Sequence, residues 1–198
     1  TPNKIYKNIV VLDAGHGGHD PGAQNKGTNE KDLNFKIIYT LMKNYFSGNA
    51  PDTKVYWTRT SDTFITLANR AAFAKKVGAD VFISLHMNSS DSSSANGTEV
   101  YYSVSNNSKS FSGLTSKTMA TMFRTALLKD VGTKNRGTKT AGYYVCKHNT
   151  VPAILIELGF ISGSSDYSKL TNASFQQKAA TSIYNSINNL FAKYPTGR

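Results

Sequence analysis

Four side chains of this 198-residue chain could do chemistry together if the fold gathers them: His16, Glu30, His86 and Glu157. His16 follows the apolar run Ile9-Val10-Val11-Leu12 across a glycine turn. His86 directly follows Val81-Phe82-Ile83-Ser84-Leu85, and Glu157 directly follows Ala153-Ile154-Leu155-Ile156. Glu30 opens the helical pattern downstream of the first run. Short apolar runs rich in β-branched residues read as buried strands, and open α/β sheets bind ligands beyond the carboxyl ends of their strands. Parallel neighbours would therefore bring two imidazoles and two carboxylates to one edge.

Each residue alone has an ordinary explanation. A histidine in a glycine-rich loop is usually just polar, and one at a strand end is often a satisfied hydrogen-bonding group. A glutamate in a first helical turn is favoured by the helix dipole and needs no further role. Glu157 resists this treatment, because a carboxylate ending an apolar strand costs several kcal/mol to bury without a partner. Dismissing all four requires four coincidences at one edge.

Imidazole and carboxylate donors suit zinc, whose catalytic sites use three protein ligands and leave a fourth position open. Zinc lowers the pKa of a bound water to about 7, and a further carboxylate can then move the proton. Gly15, Gly17 and Gly18 allow a tight turn around His16. The residues by themselves leave open which of Glu30 and Glu157 binds metal.

The elements that must position these groups alternate along the chain. Strands are expected at Ile9–Leu12, Lys54–Thr58, Val81–Leu85, Glu99–Ser103, Tyr143–Cys146 and Ala153–Ile156. Leu33, Ile37, Leu41 and Tyr45 fall at helical spacing, with Thr28 or Asn29 able to cap. Further helices are expected at Leu67–Val77, ending at Gly78, at Leu114–Leu128, and from about Phe175 to Phe191. Such alternation predicts an α/β/α sandwich: a mostly parallel twisted sheet of about six strands with helices on both faces. No internal repeat or long linker divides the chain, so 1–198 reads as a single catalytic domain.

Composition narrows the class. Hydrophobic residues make up 39% and charged residues 18%, as in a globular protein. No apolar run approaches the roughly 18 residues needed to span a bilayer, and TPNKIYKN lacks a signal-peptide core. The chain thus reads as a cytosolic protein or as a mature or excised domain. The single cysteine, Cys146, excludes an internal disulfide and reads as a small strand residue rather than a nucleophile. The net charge of +11 favours polyanionic surroundings such as nucleic acid, anionic lipid or wall teichoic acids. The basic residues, Lys4, Lys7, Lys26, Lys75, Lys76, Lys134, Lys139 and Lys147 among them, are scattered and sit in no nucleic-acid motif.

Three stretches carry a resemblance. His16-Gly17-Gly18-His19-Asp20-Pro21-Gly22-Ala23 with Glu30, then Ser84-Leu85-His86-Met87-Asn88, then Pro152 through Ser162 resemble the zinc-dependent N-acetylmuramoyl-L-alanine amidases of the AmiC/CwlV type, the Amidase_3 family. The likeness spans nearly the whole chain in the family's order. It implies that His16, Glu30 and His86 ligate Zn2+ and that Glu157 is the catalytic acid/base. It also implies cleavage of the amide between the lactyl group of N-acetylmuramic acid and L-alanine in peptidoglycan. The expected setting is secreted and associated with the bacterial cell wall. Peptidoglycan is the expected partner, and anionic wall polymers are candidates for the basic surface. A monomer is expected, with no nucleic-acid partner and no transmembrane segment. The rival readings are a zinc peptidase acting within the stem peptide and an inactive wall-binding module.

Met87 stands where the family commonly has alanine, and Ala153 where it often has serine. His19 reads as a loop residue outside the ligand set. His148 reads as exposed, with a place on the substrate rim as the alternative. Glu99 is a candidate to steady a ligand histidine from behind. Arg70 resembles a recurring family arginine and reads as a structural ion-pair partner.

Overall fold

Apolar strands at intervals along the chain set the architecture of the computed structural model, which describes residues 6–48 and 52–198. Lys4 and the start of the amino-terminal stretch lie outside the described residues. Strand β1 spans Asn8–Ala14. A small hairpin of β2 (Gln24–Asn25) and β3 (Thr28–Asn29) leads into α1 (Glu30–Phe35), a π-helical stretch (Lys36–Leu41) and α2 (Lys43–Gly48). Next come β4 (Thr53–Trp57), α3 (Leu67–Lys76), β5 (Val81–Asn88), β6 (Thr98–Tyr102) and α4 (Ser116–Val131). The chain continues through β7 (Asn135–Thr140), α5 (Tyr144–Lys147), β8 (Ala153–Phe160), α6 (Ser164–Leu170) and α7 (Ala173–Lys193).

Six strands form one sheet in the order β4-β1-β5-β8-β6-β7. Pairing is parallel except between β6 and β8, which run antiparallel. This is the expected mostly parallel sheet with helices on both faces. Period two divides the central strands between two layers. Val10, Leu12, Ile83, Leu85, Ile154, Ile156 and Leu158 join the large core with residues of α1, α4, α7 and the π-helical stretch. Val11, Phe82, Ala153 and Leu155 face the smaller layer, where Ala74 of α3 and Val145 and Cys146 of α5 cover them.

Several expected elements change. The run Leu33–Tyr45 is not one helix: a wider turn interrupts it and turns both Ile37 and Ile38 fully inward. β5 and β8 extend past the apolar runs that signalled them, so His86 and Glu157 lie inside strands rather than after them. Tyr143–Cys146 is not a strand. Tyr144–Lys147 is a short helix packed against α3, with Tyr143 at its N-cap position, and a four-residue apolar run cannot by itself distinguish the two. The strand that replaces it in the sheet is β7, whose sequence NRGTKT has no apolar alternation because it lies at an edge and pairs only with β6.

Candidate active site

The site begins with the register of β5 and β8. His86 and Glu157 are direct neighbours across those parallel strands, and both fall on the α3/α5 face. Asp13 and Ser84 lie on the same face one step deeper, also paired in register. There Asp13 accepts from Ser84 Oγ at 2.7 Å, Thr58 Oγ1 at 2.5 Å and Arg70 Nη1 at 2.7 Å. Burial opposes ionisation of Asp13, but the adjacent Arg70 and these hydrogen bonds hold its pKa below the usual value. Arg70 is thus the ion-pair partner expected of it.

The same arginine builds the loop that carries His16. Arg70 donates to the carbonyls of Ala14 at 2.7 Å and His16 at 2.6 Å. Arg59 adds a bond to the Ala14 carbonyl at 2.9 Å. So clamped, His16 adopts φ 61°, an unusual conformation for a residue with a side chain. Two glycines make room for the imidazoles. A Cβ on Gly15 would sit 2.2 Å from His86 Cε1, and one on Gly22 (φ +66°) would sit 2.6 Å from Glu30 Oε2.

Glu30 arrives from the first turn of α1, as expected, although the Asn29 side chain does not cap that helix. It lies between the two imidazoles, with Oε1 2.9 Å from His86 Nδ1 and Oε2 3.2 Å from His16 Nε2. Its backbone partners fix it further, since Met87 N–H donates to Oε1 at 3.0 Å and Ala23 N–H to Oε2 at 2.9 Å. Burial works against the charged form, yet the two histidines hold its pKa far below the usual carboxylate range. His16 shows the reverse balance: burial disfavours its cation, but Glu30 and then Asp20 outweigh this and raise its pKa.

One donor atom from each of His16, Glu30 and His86 lies within 4.8 Å of the others. Two imidazoles and one carboxylate, pre-set by loop and strand, match the donor chemistry zinc favours. Asp20 completes the arrangement, with Oδ2 2.8 Å from His16 Nδ1, the ring nitrogen turned away from Glu30. Carboxylates in this position fix the tautomer and orientation of metal-binding histidines.

Glu157 stands apart from this cluster. It is 7% exposed, and its Oε2 has no hydrogen-bond partner. Burial, then the charges of Glu30 and Glu99, raise its pKa well above the ordinary carboxylate value. It opens onto a cavity of about 630 Å³ that His16, Glu30 and His86 also line. A shielded carboxyl with a raised pKa beside a cluster of metal-type donors is suited to taking up and returning a proton.

Other expectations resolve differently. Glu99 does not back a ligand histidine: it binds Asn88 at 2.6 Å, Tyr101 at 2.9 Å, Arg136 at 3.0 Å and Lys139 at 2.5 Å. β6 runs antiparallel and sets Glu99 opposite Glu157 instead. His19 packs at a tilt on Phe64, and His148 stacks on Tyr144 at the cavity rim. Cys146 is buried, which pushes its thiol up to about 12 and leaves no thiolate at neutral pH. Met87 and Ala153 are buried in the two opposite core layers. Sequence reasoning missed Asp20 and Arg59. The spacing of four between His16 and Asp20 was the available signal for one; nothing in the sequence marks the other.

Comparison with known proteins places these features in context. The sequence profile of the family described as N-acetylmuramoyl-L-alanine amidase (Amidase_3) matches residues 10–189. The chain is 36% identical to N-acetylmuramoyl-L-alanine amidase LytC of Bacillus subtilis over 92% of its length, but spans only 35% of LytC. It is 37% identical to the uncharacterized protein YqiI of Bacillus subtilis, covering 94% of this chain and 86% of YqiI. Among solved structures, the catalytic domain of CwlV from Bacillus (Paenibacillus) polymyxa var. colistinus superposes with a TM-score of 0.84 at 32% identity, covering 93% of this chain and 98% of that domain. An N-acetylmuramoyl-L-alanine amidase from Clostridium difficile 630 gives the same score and identity over 93% of this chain and 97% of its own.

Proposed function

The chain belongs to the N-acetylmuramoyl-L-alanine amidase family, and from that premise we propose that it hydrolyses the amide between the lactyl group of N-acetylmuramic acid and L-alanine in peptidoglycan, using zinc. One observation carries the reading. A His16-Glu30-His86 cluster with donors within 4.8 Å shares a cavity with Glu157, whose buried Oε2 has no hydrogen-bond partner.

In this reading His16, Glu30 and His86 hold the metal. When bound, zinc supplies a Lewis acid that polarises the carbonyl and brings the pKa of water to about 7. Glu157 does the proton work. Its carboxylate takes a proton from the attacking water as the C–O bond forms at the lactyl carbonyl carbon. It returns that proton to the L-alanine nitrogen as the C–N bond breaks, so the products are a free lactyl carboxyl and a free amine. Asp20 keeps the Nε2 of His16 turned toward Glu30. The burial of Glu157 keeps bulk water from competing for the proton.

We further propose that 1–198 acts as one catalytic domain, outside the cell and at the wall. Coverage of nearly the entire CwlV catalytic domain supports the first point. The second is supported by relatives named as cell wall amidases and by a net charge of +11, suited to anionic wall polymers.

The test is a digest of purified peptidoglycan with metal-loaded, chelator-stripped and zinc-restored protein. Loss on stripping, recovery with zinc and newly exposed amino-terminal alanine are expected. Full activity without metal, or amines exposed only within the stem, would contradict the proposal.

A further inference from the structure

The cavity beside Glu157 has two unlike sides. One is formed by Phe64 and Ile65 before α3, by Leu67 at its start, and by Tyr143, Tyr144 and Val145 around α5. The other carries His16, Asp20, Asn88 and Ser89. Among the described residues, five large hydrophobics are conspicuously exposed, and four of them, Phe64, Leu67, Tyr143 and Tyr144, line this one cavity. Exposed apolar surface gathered in a single place marks a contact site, whereas scattered exposure does not.

We propose that this aromatic wall seats the sugar side of the substrate, with N-acetylated pyranose rings of the glycan strand resting on Phe64 and Tyr144. The inference rests on the amidase reading above and adds to it a direction for the bound substrate.

Three observations favour a saccharide over the peptide here. The wall is neutral in effect, because Arg70 is the only Lys or Arg among the described residues lining the cavity. It is 2% exposed and committed to Asp13 and to the carbonyls of Ala14, His16 and Ile65. An acidic stem peptide would find no free Lys or Arg among the described residues lining the cavity. Cations lie instead behind Asn88, which donates to Glu99, the partner of Arg136 and Lys139.

The second observation is preorganisation. Phe64 and Tyr144 are each 39% exposed, yet each is braced by a histidine ring. His19 packs on Phe64 with centroids 4.3 Å apart, and His148 on Tyr144 at 4.2 Å. A braced aromatic loses little side-chain freedom on binding. The third is chemical fit. The C–H face of a pyranose is apolar with weakly positive hydrogens, and it complements the negative face of an aromatic ring. With the sugar on this wall, the acyl carbon meets the metal cluster and the peptide leaves toward Asn88.

The experiment compares two soluble substrates carrying the same stem peptide. One is a disaccharide peptide, and the other an N-lactoyl peptide lacking any sugar. For Phe64→Ala and Tyr144→Ala, KM on the disaccharide peptide should rise about threefold to tenfold, the size of one aromatic contact. kcat/KM on the N-lactoyl peptide should stay within about twofold of wild type. Tyr144→Phe should behave as wild type on both. Equal losses on the two substrates, or no loss on either, would overturn the proposal. A binding titration of the metal-loaded Glu157→Gln protein with a peptide-free tetrasaccharide of the glycan separates this idea from the proposed reaction. A wild-type enzyme that cleaves neither substrate removes the reaction. Saturable tetrasaccharide binding weakened by Tyr144→Ala still supports the wall, and absence of such binding overturns it.

Discussion

The two faces of the central strands are built from the same chain segments and carry opposite chemistry. Toward the large helical layer, β1, β5 and β8 present Val10, Leu12, Ile83, Leu85, Ile154, Ile156 and Leu158, all buried and all apolar. Toward α3 and α5 they present Val11, Phe82, Ala153 and Leu155 only in their deeper halves, then Asp13, Ser84, His86 and Glu157. One face stabilises the fold by burying hydrocarbon. The other uses that stability to hold charge away from water. Alternation along a strand is enough to keep the two tasks separate, because a step of one residue moves a side chain from one task to the other.

The sharpest way to break this contrast is Glu157→Gln. On the proposed reaction it removes proton transfer while keeping shape, so turnover should fall by about 10²–10⁴. Zinc content by elemental analysis should match wild type, and a metal-free Glu157→Gln protein would contradict the division of roles.

Next in size is a paired stability measurement. Ile154→Ala, on the apolar face, should cost about 2–5 kcal/mol through its cavity and leave activity per folded molecule unchanged. Arg70→Ala, on the charged face, should cost about 3–5 kcal/mol by stranding Asp13. Arg70→Ala should also lower zinc content, because the carbonyls of Ala14 and His16 lose their donor. Denaturant unfolding together with metal analysis separates the two, and equal metal retention would erase the distinction.

A smaller effect is expected at Asp20. Asp20→Asn should weaken zinc affinity by about 10–100-fold, read by competition with a chelator, without lowering the thermal midpoint of the metal-free protein by more than a few degrees.

The smallest effect concerns pH. Burial and the charges of Glu30 and Glu99 raise the Glu157 pKa in the folded state. A raised acid imposes no penalty below its unfolded value of roughly 4.3, where both states are protonated. The penalty grows as pH climbs toward the folded value. Glu157→Gln should therefore stabilise metal-free protein at pH 7 and lose that advantage near pH 4. A stabilisation independent of pH would show that the carboxyl is not held in this way.

Legibility in the sequence followed the same division. The fold class and the central strands could be read because Ile9–Leu12, Val81–Leu85 and Ala153–Ile156 are apolar at every position but Ser84. The convergence of His16, Glu30, His86 and Glu157 on one cavity could be read because each adjoins such a run or opens the following helix. β7 could not be read, since an edge strand with the sequence NRGTKT buries too little to impose a pattern. α5 is illegible for the opposite reason: the run Tyr143–Cys146 is apolar but too short to show a period. The roles of Asp20 and Arg59 depend on loop geometry, which spacing does not specify. The place of Glu99 opposite Glu157 is not legible, because nothing local signals that β6 enters antiparallel.

The outer margins of the sheet have a consequence of their own. Among the described residues, β4 and β7 are the two unclosed sides, and each carries a lysine within its ladder, Lys54 and Lys139. Backbone groups left over at such a margin invite a strand from another molecule, and a cation there discourages the approach. Copies meeting rim to rim would bring lysine against lysine, which works against growth into fibres.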